Sequence, residues 1–267
     1  MTYYFKELEG KWALILGASS GFGAACAQSL AKAGMHICGV HLDRKATMEN
    51  VEKVISHVKE SGREAVFFNV NASDPQKRTE VLDGLSQKLG PSKKVYLLFH
   101  SLAFGTLKPF FADQGEGINS SQMEMTLDVM AHSLVYWTQD LLSRKLFEEG
   151  GRIYAMTSAG GEKVWPTYGA VSAAKAALES HIRQTSLELA PRKISVNAIR
   201  AGVTDTPALR KIPGYEKMIE MATAKNPHRR LTTPEDVANA LVALALPGTS
   251  WMTGNVLGVD GGENIVD

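Results

Sequence analysis

Two residues with chemistry to offer stand close together in this chain: Tyr168 and Lys175, with Gly-Ala-Val-Ser-Ala-Ala between them. A phenol can donate a hydrogen bond to a developing oxyanion, and an ammonium group can hold a hydroxyl or steady the phenol's charge. Seven positions is close to two turns of α-helix, so both side chains leave a helix on one face. Far upstream lies Gly17-Ala-Ser-Ser-Gly21-Phe-Gly23, directly after the apolar run Ala13–Leu16 and directly before Ala24–Leu30. A strand, a glycine-rich turn and a helix make a pyrophosphate site, because glycine lets backbone approach the ligand and the helix start offers free N–H groups. Plain turns also gather glycines. The placement between an apolar run and a helical one favours a nucleotide, and the two motifs together read as a nicotinamide oxidoreductase.

The elements that must position these groups alternate along the chain. Short apolar runs read as strands at 12–16, 36–40, 65–69, 95–99, 152–156, 195–199 and 255–259. Helical patterns lie between them at about 22–33, 45–61, 75–89, 121–148, 167–190 and 234–246. Such alternation predicts an α/β fold, a doubly wound seven-stranded parallel sheet of Rossmann type in a single domain over 1–267. Two interruptions, near 104–119 and from Val203 to Leu231, follow strand C-termini, where open α/β sheets bind ligands.

Bulk properties narrow the class. With 267 residues, 44% hydrophobic and 21% charged, the chain can bury a substantial core. A net charge of +1 offers no bulk attraction for nucleic acid or a membrane surface. No apolar stretch approaches the roughly 18 residues a bilayer span requires. Residues 1–16 carry no basic start, long apolar run and small-residue cleavage site, so a cytoplasmic location is expected. Cys26 and Cys38 read as small buried hydrophobes, and His132, His181 and His228 show no metal-ligand spacing, so no metal is expected.

Over nearly its whole length the chain resembles the short-chain dehydrogenase/reductases. The glycine turn, Asn69-Val-Asn71, Tyr168 with Lys175, Asn197-Ala-Ile-Arg-Ala-Gly202 and Val259-Asp-Gly-Gly262 fall in that family's order. The resemblance implies that Gly17, Ser19, Ser20, Gly21, Phe22 and Gly23 line the phosphates, and that Asn69 and Val70 flank the adenine. Ala103 would lie along the ribose, Ser101 would join the cofactor site, Lys175 would hydrogen-bond the nicotinamide ribose, and Gly202, Val203 and Thr206 would stand on the carboxamide and phosphate side. An acid at the end of the second strand would select NADH. That position is His41, and the nearby Arg44 suits a 2′-phosphate. NADPH is therefore favoured, while Asp43 leaves NADH open.

Ketone-reducing members of the family separate the tyrosine and lysine by three residues. Four before Lys175 stands Val171, which cannot donate a hydrogen bond. The phenol of Tyr168 lies three positions further off, roughly 4–5 Å along a regular helix. In ketone reduction, hydride lands on the carbon that bears the oxygen. In conjugate reduction of a thioester it lands on C3 while charge gathers on the oxygen at C1, so the donor belongs farther from the nicotinamide. The chain thus resembles the enoyl-acyl-carrier-protein reductases, whose pair is Tyr-x6-Lys, and His100-Ser-Leu-Ala103 and Ala201-Gly202 agree. The resemblance implies reduction of trans-2-enoyl thioesters by a homotetramer. Ketone or 3-oxoacyl reduction is the rival.

Departures remain. The glycine turn is of the ordinary family type, and Ser158 stands where ketone reducers keep a catalytic serine, so Ser158 either bonds the substrate oxygen or caps a loop. His100 relays a proton or supports backbone. Phe104, Met156, Trp165, Tyr168 and Ile212 are expected to wall the substrate pocket, with Met218 and Met221 also placed to join it. The basic residues Arg210, Lys211, Lys217, Lys225, Arg229 and Arg230 either receive an acidic carrier protein or coat a solvated lid.

Overall fold

A computed structural model describes residues 4–112 and 116–266, so three positions of the loop expected near 104–119 lie outside the described residues. Seven strands form one sheet: β1 (Trp12–Leu16), β2 (His36–His41), β3 (Ala65–Asn69), β4 (Val95–His100), β5 (Phe147–Ser158), β6 (Ser195–Ala201) and β7 (Val256–Val259). Every pairing is parallel and the order is β3-β2-β1-β4-β5-β6-β7. The order reverses at β1, where Leu16 is in register with Val40 on one side and His100 on the other. That reversal opens the crevice at the strand C-termini in which such sheets take ligands. Strands covered on both faces need apolar residues throughout rather than in alternation. Accordingly all five residues of β1 and all six of β4 are buried.

Helices cover both faces: α1 (Gly21–Lys32), α2 (Met48–Glu60), α3 (Pro75–Leu89), α4 (Ser120–Leu127), α5 (Ser133–Ser143), α6 (Gly169–Leu189), α7 (Tyr215–Lys225) and α8 (Pro234–Ala245). Leu14, Leu16 and Leu98 pack with Trp137, Leu178 and Ile182 in one core layer. Ala13, Ile15 and Phe99 pack with Leu30, Val237 and Leu241 in the other. Helix starts follow their local signals. Asp74 accepts from the backbone N–H of Gln76 and Lys77 ahead of Pro75, and Thr233 forms a capping box with Asp236 ahead of Pro234.

Two sequence expectations need correction. The pattern over 121–148 is not one helix. The Ser133 hydroxyl donates to the Val129 carbonyl, the Ser133 N–H falls back on Asp128, and a π-helical turn over Asp128–His132 separates α4 from α5. Lys145, at φ 56, then ends the helical stretch ahead of β5. Second, α6 begins at Gly169 rather than 167, because Pro166 precedes Thr167, whose φ of 65 is outside the helical region. The excursion after β6 holds a helix, α7, entered through Gly214 at φ 77.

Candidate active site

The nucleotide half of the site is built around β1. Gly17 adopts φ 88, and a Cβ there would come 2.5 Å from the Ser101 carbonyl oxygen. A Cβ on Gly23 would stand 1.9 Å from the Gly17 carbonyl oxygen, so the turn closes only with glycine at that position. Ser20 is the N-cap of α1 and makes no side-chain capping bond, which leaves the first N–H groups of the helix for a ligand. These features fit the pyrophosphate of a dinucleotide. Ser19, Ser20, Gly21 and Phe22 lie on that turn and helix start as expected, and Phe22 reaches the cavity described below.

At the end of β2 the side chains part from expectation. His41 is buried, and its Nδ1 lies 3.0 Å from an Asp43 carboxylate oxygen, so the imidazole does not face a ribose. Asn69 uses its amide on the Asp43 backbone, accepting from the N–H at 3.0 Å and donating to the carbonyl at 2.9 Å, rather than presenting it to a base. Val70 is packed partly into the core, and its N–H donates to the His41 carbonyl. Arg44 is exposed. Burial is the largest influence on the Asp43 carboxyl and pushes its pKa up, but Thr47, Ser19 and His41 together hold it below its ordinary value.

The other half gathers around β5 and α6. Tyr168 is the N-cap residue of α6 rather than a member of it, yet its carbonyl takes the first helical bond from Ser172 at 2.8 Å. The seven-residue offset to Lys175 therefore runs along a continuous ladder. Tyr168, Val171 and Lys175 all line one cavity, together with Ser158. The cavity encloses about 920 Å³ and lies at the C-terminal ends of β4, β5 and β6. Lys175 is buried, and its Nζ donates to the Met156 carbonyl at 2.7 Å. Burial lowers its pKa to about 8, against an opposing pull from Glu179.

Burial likewise raises the pKa of the Tyr168 phenol, with Ser158 the one resolved influence that lowers it. The Ser158 hydroxyl is buried beside that phenol and makes no other hydrogen bond among the described residues, so it has capacity left for a ligand oxygen.

Around this pair the wall is mostly apolar. Phe104, Met156, Trp165 and Ile212 line the cavity as expected, joined by Met130, Met218 and Met221. Ser101, Ala103, Gly202, Val203 and Thr206 line it too, so the expected nucleotide and substrate residues meet in one space. His100 is outside it: its Nε2 lies 2.8 Å from Ser133 Oγ, and burial pushes its pKa down to about 3. Because the Ser133 hydroxyl already donates to Val129, the imidazole is the donor and holds β4 to the π turn. This contact fits the backbone-supporting role.

Two carboxylates in this region carried no sequence signal. Glu263 accepts from the Val203 N–H at 3.0 Å and lines the cavity, and burial raises its pKa. Glu179 accepts from the Thr157 hydroxyl at 2.6 Å. The Lys-x3-Glu spacing of Lys175 and Glu179 was visible, but on most helices it marks a solvated pair. Of the basic excursion residues, Arg210 is paired with Asp205 and Arg230 with Asp236, while Lys211 and Lys225 line the cavity.

A parallel sheet reversing at a glycine turn, with a tyrosine and a lysine on the helix beside it, defines an NAD(P)-dependent oxidoreductase of the short-chain dehydrogenase/reductase superfamily. A family model described as enoyl-(acyl carrier protein) reductase matches residues 17–264, and the chain belongs to that family. Among its relatives is a 1-cyclohexenylcarbonyl-CoA reductase of Streptomyces collinus, 29% identical over 95% of this chain and 86% of that protein. A 7alpha-hydroxysteroid dehydrogenase of Escherichia coli is also 29% identical, over 96% of this chain and 95% of the relative. The solved structure of the NADH enoyl-[acyl-carrier-protein] reductase of Aquifex aeolicus superposes with a TM-score of 0.84 at 27% identity, covering 97% of this chain and 98% of that one.

Proposed function

We propose that the protein reduces the C2–C3 double bond of trans-2-enoyl thioesters. The observation that carries this reading is the wall order Tyr168, Val171, Lys175 in one cavity, with an apolar residue where a ketone reducer needs its phenol. Bound nicotinamide nucleotide supplies the hydride that reaches C3. The Tyr168 hydroxyl donates to the thioester oxygen, where the negative charge of the enolate collects. Ser158, buried beside the phenol, offers a second donor to the same oxygen. Lys175, buried in the wall, supports that charge from behind. Protonation at C2 then completes the saturated acyl chain. Met156, Trp165 and Ile212 exclude water and hold the acyl tail.

For the nucleotide, the missing acid at His41 and the nearby Arg44 favour NADPH from the sequence. Asp43 supports NADH instead. Its carboxylate, kept ionised beside Ser19 and Thr47, is the acceptor a ribose 2′-hydroxyl needs and repels a 2′-phosphate. We therefore take NADH as the favoured nucleotide.

Lys163, Lys211 and Lys225 line the cavity and form no ion pair among the described residues. They suit a phosphate-bearing thioester arm, on coenzyme A or on an acidic carrier protein. The family reading adds a homotetramer working in the cytoplasm; no helix of the described residues is long and apolar enough to cross a membrane.

The test is oxidation of NADH and NADPH with crotonyl and acetoacetyl thioesters side by side. Turnover of the crotonyl substrate is expected, and turnover of acetoacetyl alone would select the ketone-reducing reading.

A further inference from the structure

Lys175 is a buried cation, and a buried cation needs either a counter-charge or the loss of its proton. Its surroundings are specific. The Nζ is bonded to a neutral carbonyl, that of Met156, at 2.7 Å. From β4 it faces His100, which burial first and the Lys175 charge second keep neutral, so the imidazole supplies no charge of either sign. From its own helix, one turn on, it faces Glu179, the one charged group with a resolved effect on it. Glu179 is itself buried, and it makes no direct ion-pair contact with Lys175; it is anchored on the other side by the Thr157 hydroxyl at 2.6 Å. Thr157 immediately precedes Ser158 at the end of β5. A Cβ on Gly161 would lie 3.3 Å from Glu179 Oε1 and 3.5 Å from Lys175 Cβ, so the loop after β5 closes directly over the pair.

We propose that Glu179 is a positioning residue of the active site, which keeps Lys175 protonated across the working pH range and fixes the strand end that carries Ser158 through Thr157. The inference rests on the reading of Lys175 as a cofactor- and substrate-facing group. It assigns the two jobs to different atoms of one carboxylate: its charge acts on Lys175, and its hydrogen bond acts on Thr157. Lys175 has its pKa near 8, so cofactor affinity and turnover lose their protonated lysine as pH rises through that value. An opposite charge nearby raises an ammonium pKa, so removing it draws the loss to lower pH.

The experiment compares wild type, Glu179→Gln and Thr157→Val, titrating NADH and NADPH by their fluorescence from pH 6 to pH 10 with no acyl thioester present, and measuring kcat with crotonyl thioester over the same range. Glutamine keeps an acceptor for Thr157 and loses the charge. The basic limb of both profiles is expected to move down by about one pH unit or more in Glu179→Gln and to stay in place in Thr157→Val, with kcat lowered there. An unmoved limb in Glu179→Gln overturns the proposal, as does an equal displacement in Thr157→Val. If Glu179→Gln does not fold, Glu179→Ala replaces it, with a displacement in the same direction expected and an unmoved limb again fatal. Cofactor titration needs no substrate, so absent crotonyl turnover sinks the enoyl reading while the limb still decides the role of Glu179.

Discussion

Gly160 lies flat against the ring of Tyr168: a Cβ at that position would stand 2.5 Å from Cε1 of the phenol and 3.2 Å from Ser158 Oγ. The loop after β5 thus sets the position of the phenol as firmly as the helix behind it does. The tyrosine caps α6, with its carbonyl in the helical ladder and its N–H bonded to the Trp165 carbonyl at 3.1 Å, and it follows a strained Thr167.

Replacing Gly160 with alanine must therefore displace the phenol. Displacement of a donor by about 1 Å can cost about 100-fold, so kcat for crotonyl thioester should fall by that order in Gly160→Ala. Nucleotide affinity, measured by fluorescence titration, should change far less, because the Gly17 turn and the start of α1 belong to other elements than this loop. Unchanged kcat would show that Tyr168 is not held where the reaction needs it.

Asp43 sets the second expectation. In Asp43→Ala the acceptor for a ribose 2′-hydroxyl is gone and Arg44 remains. The ratio of kcat/KM for NADPH to that for NADH should rise by at least about tenfold, the size of one charge-assisted hydrogen bond. A ratio that does not move would place the ribose elsewhere.

His100 gives the fold a pH dependence of known sign. Its pKa is about 3 in the folded protein and near 6.5 once unfolded. The unfolded chain therefore binds the extra proton in that interval, and stability falls as pH drops from 6.5 toward 3, by at most about 1.4 kcal/mol per unit. Urea unfolding of wild type at pH 7.5 and pH 5 should show this loss. His100→Gln, which retains a donor for Ser133, should be flatter over the same interval though less stable at pH 7.5. Equal slopes for the two proteins would remove His100 as the cause.

What the sequence displayed well was what physics makes repetitive or local. Buried parallel strands must be apolar throughout, so Trp12–Leu16 and Val95–His100 stood out, and the spacing of Tyr168, Val171 and Lys175 survives because the helical ladder starts at the Tyr168 carbonyl. What it hid depended on tertiary partners. The π turn arises because Ser133 answers both His100 and Val129, a contact made across 33 residues. His41 turns inward because Asp43 waits for it, which composition at a strand end does not announce. Glu179 looks like half of a surface pair until β5 and its loop cover it. The helix α7 was hidden in a segment rich in lysine and arginine, where no wide apolar stripe marks a buried face.

The central claim is where the hydride lands. NADH carrying deuterium at both C4 positions should be turned over with crotonyl thioester and the product examined by mass spectrometry and NMR. The account predicts one deuterium in the butyryl product, on C3. Label found only on the carbinol carbon of a product formed from acetoacetyl thioester, with crotonyl thioester returned unlabelled, would contradict it.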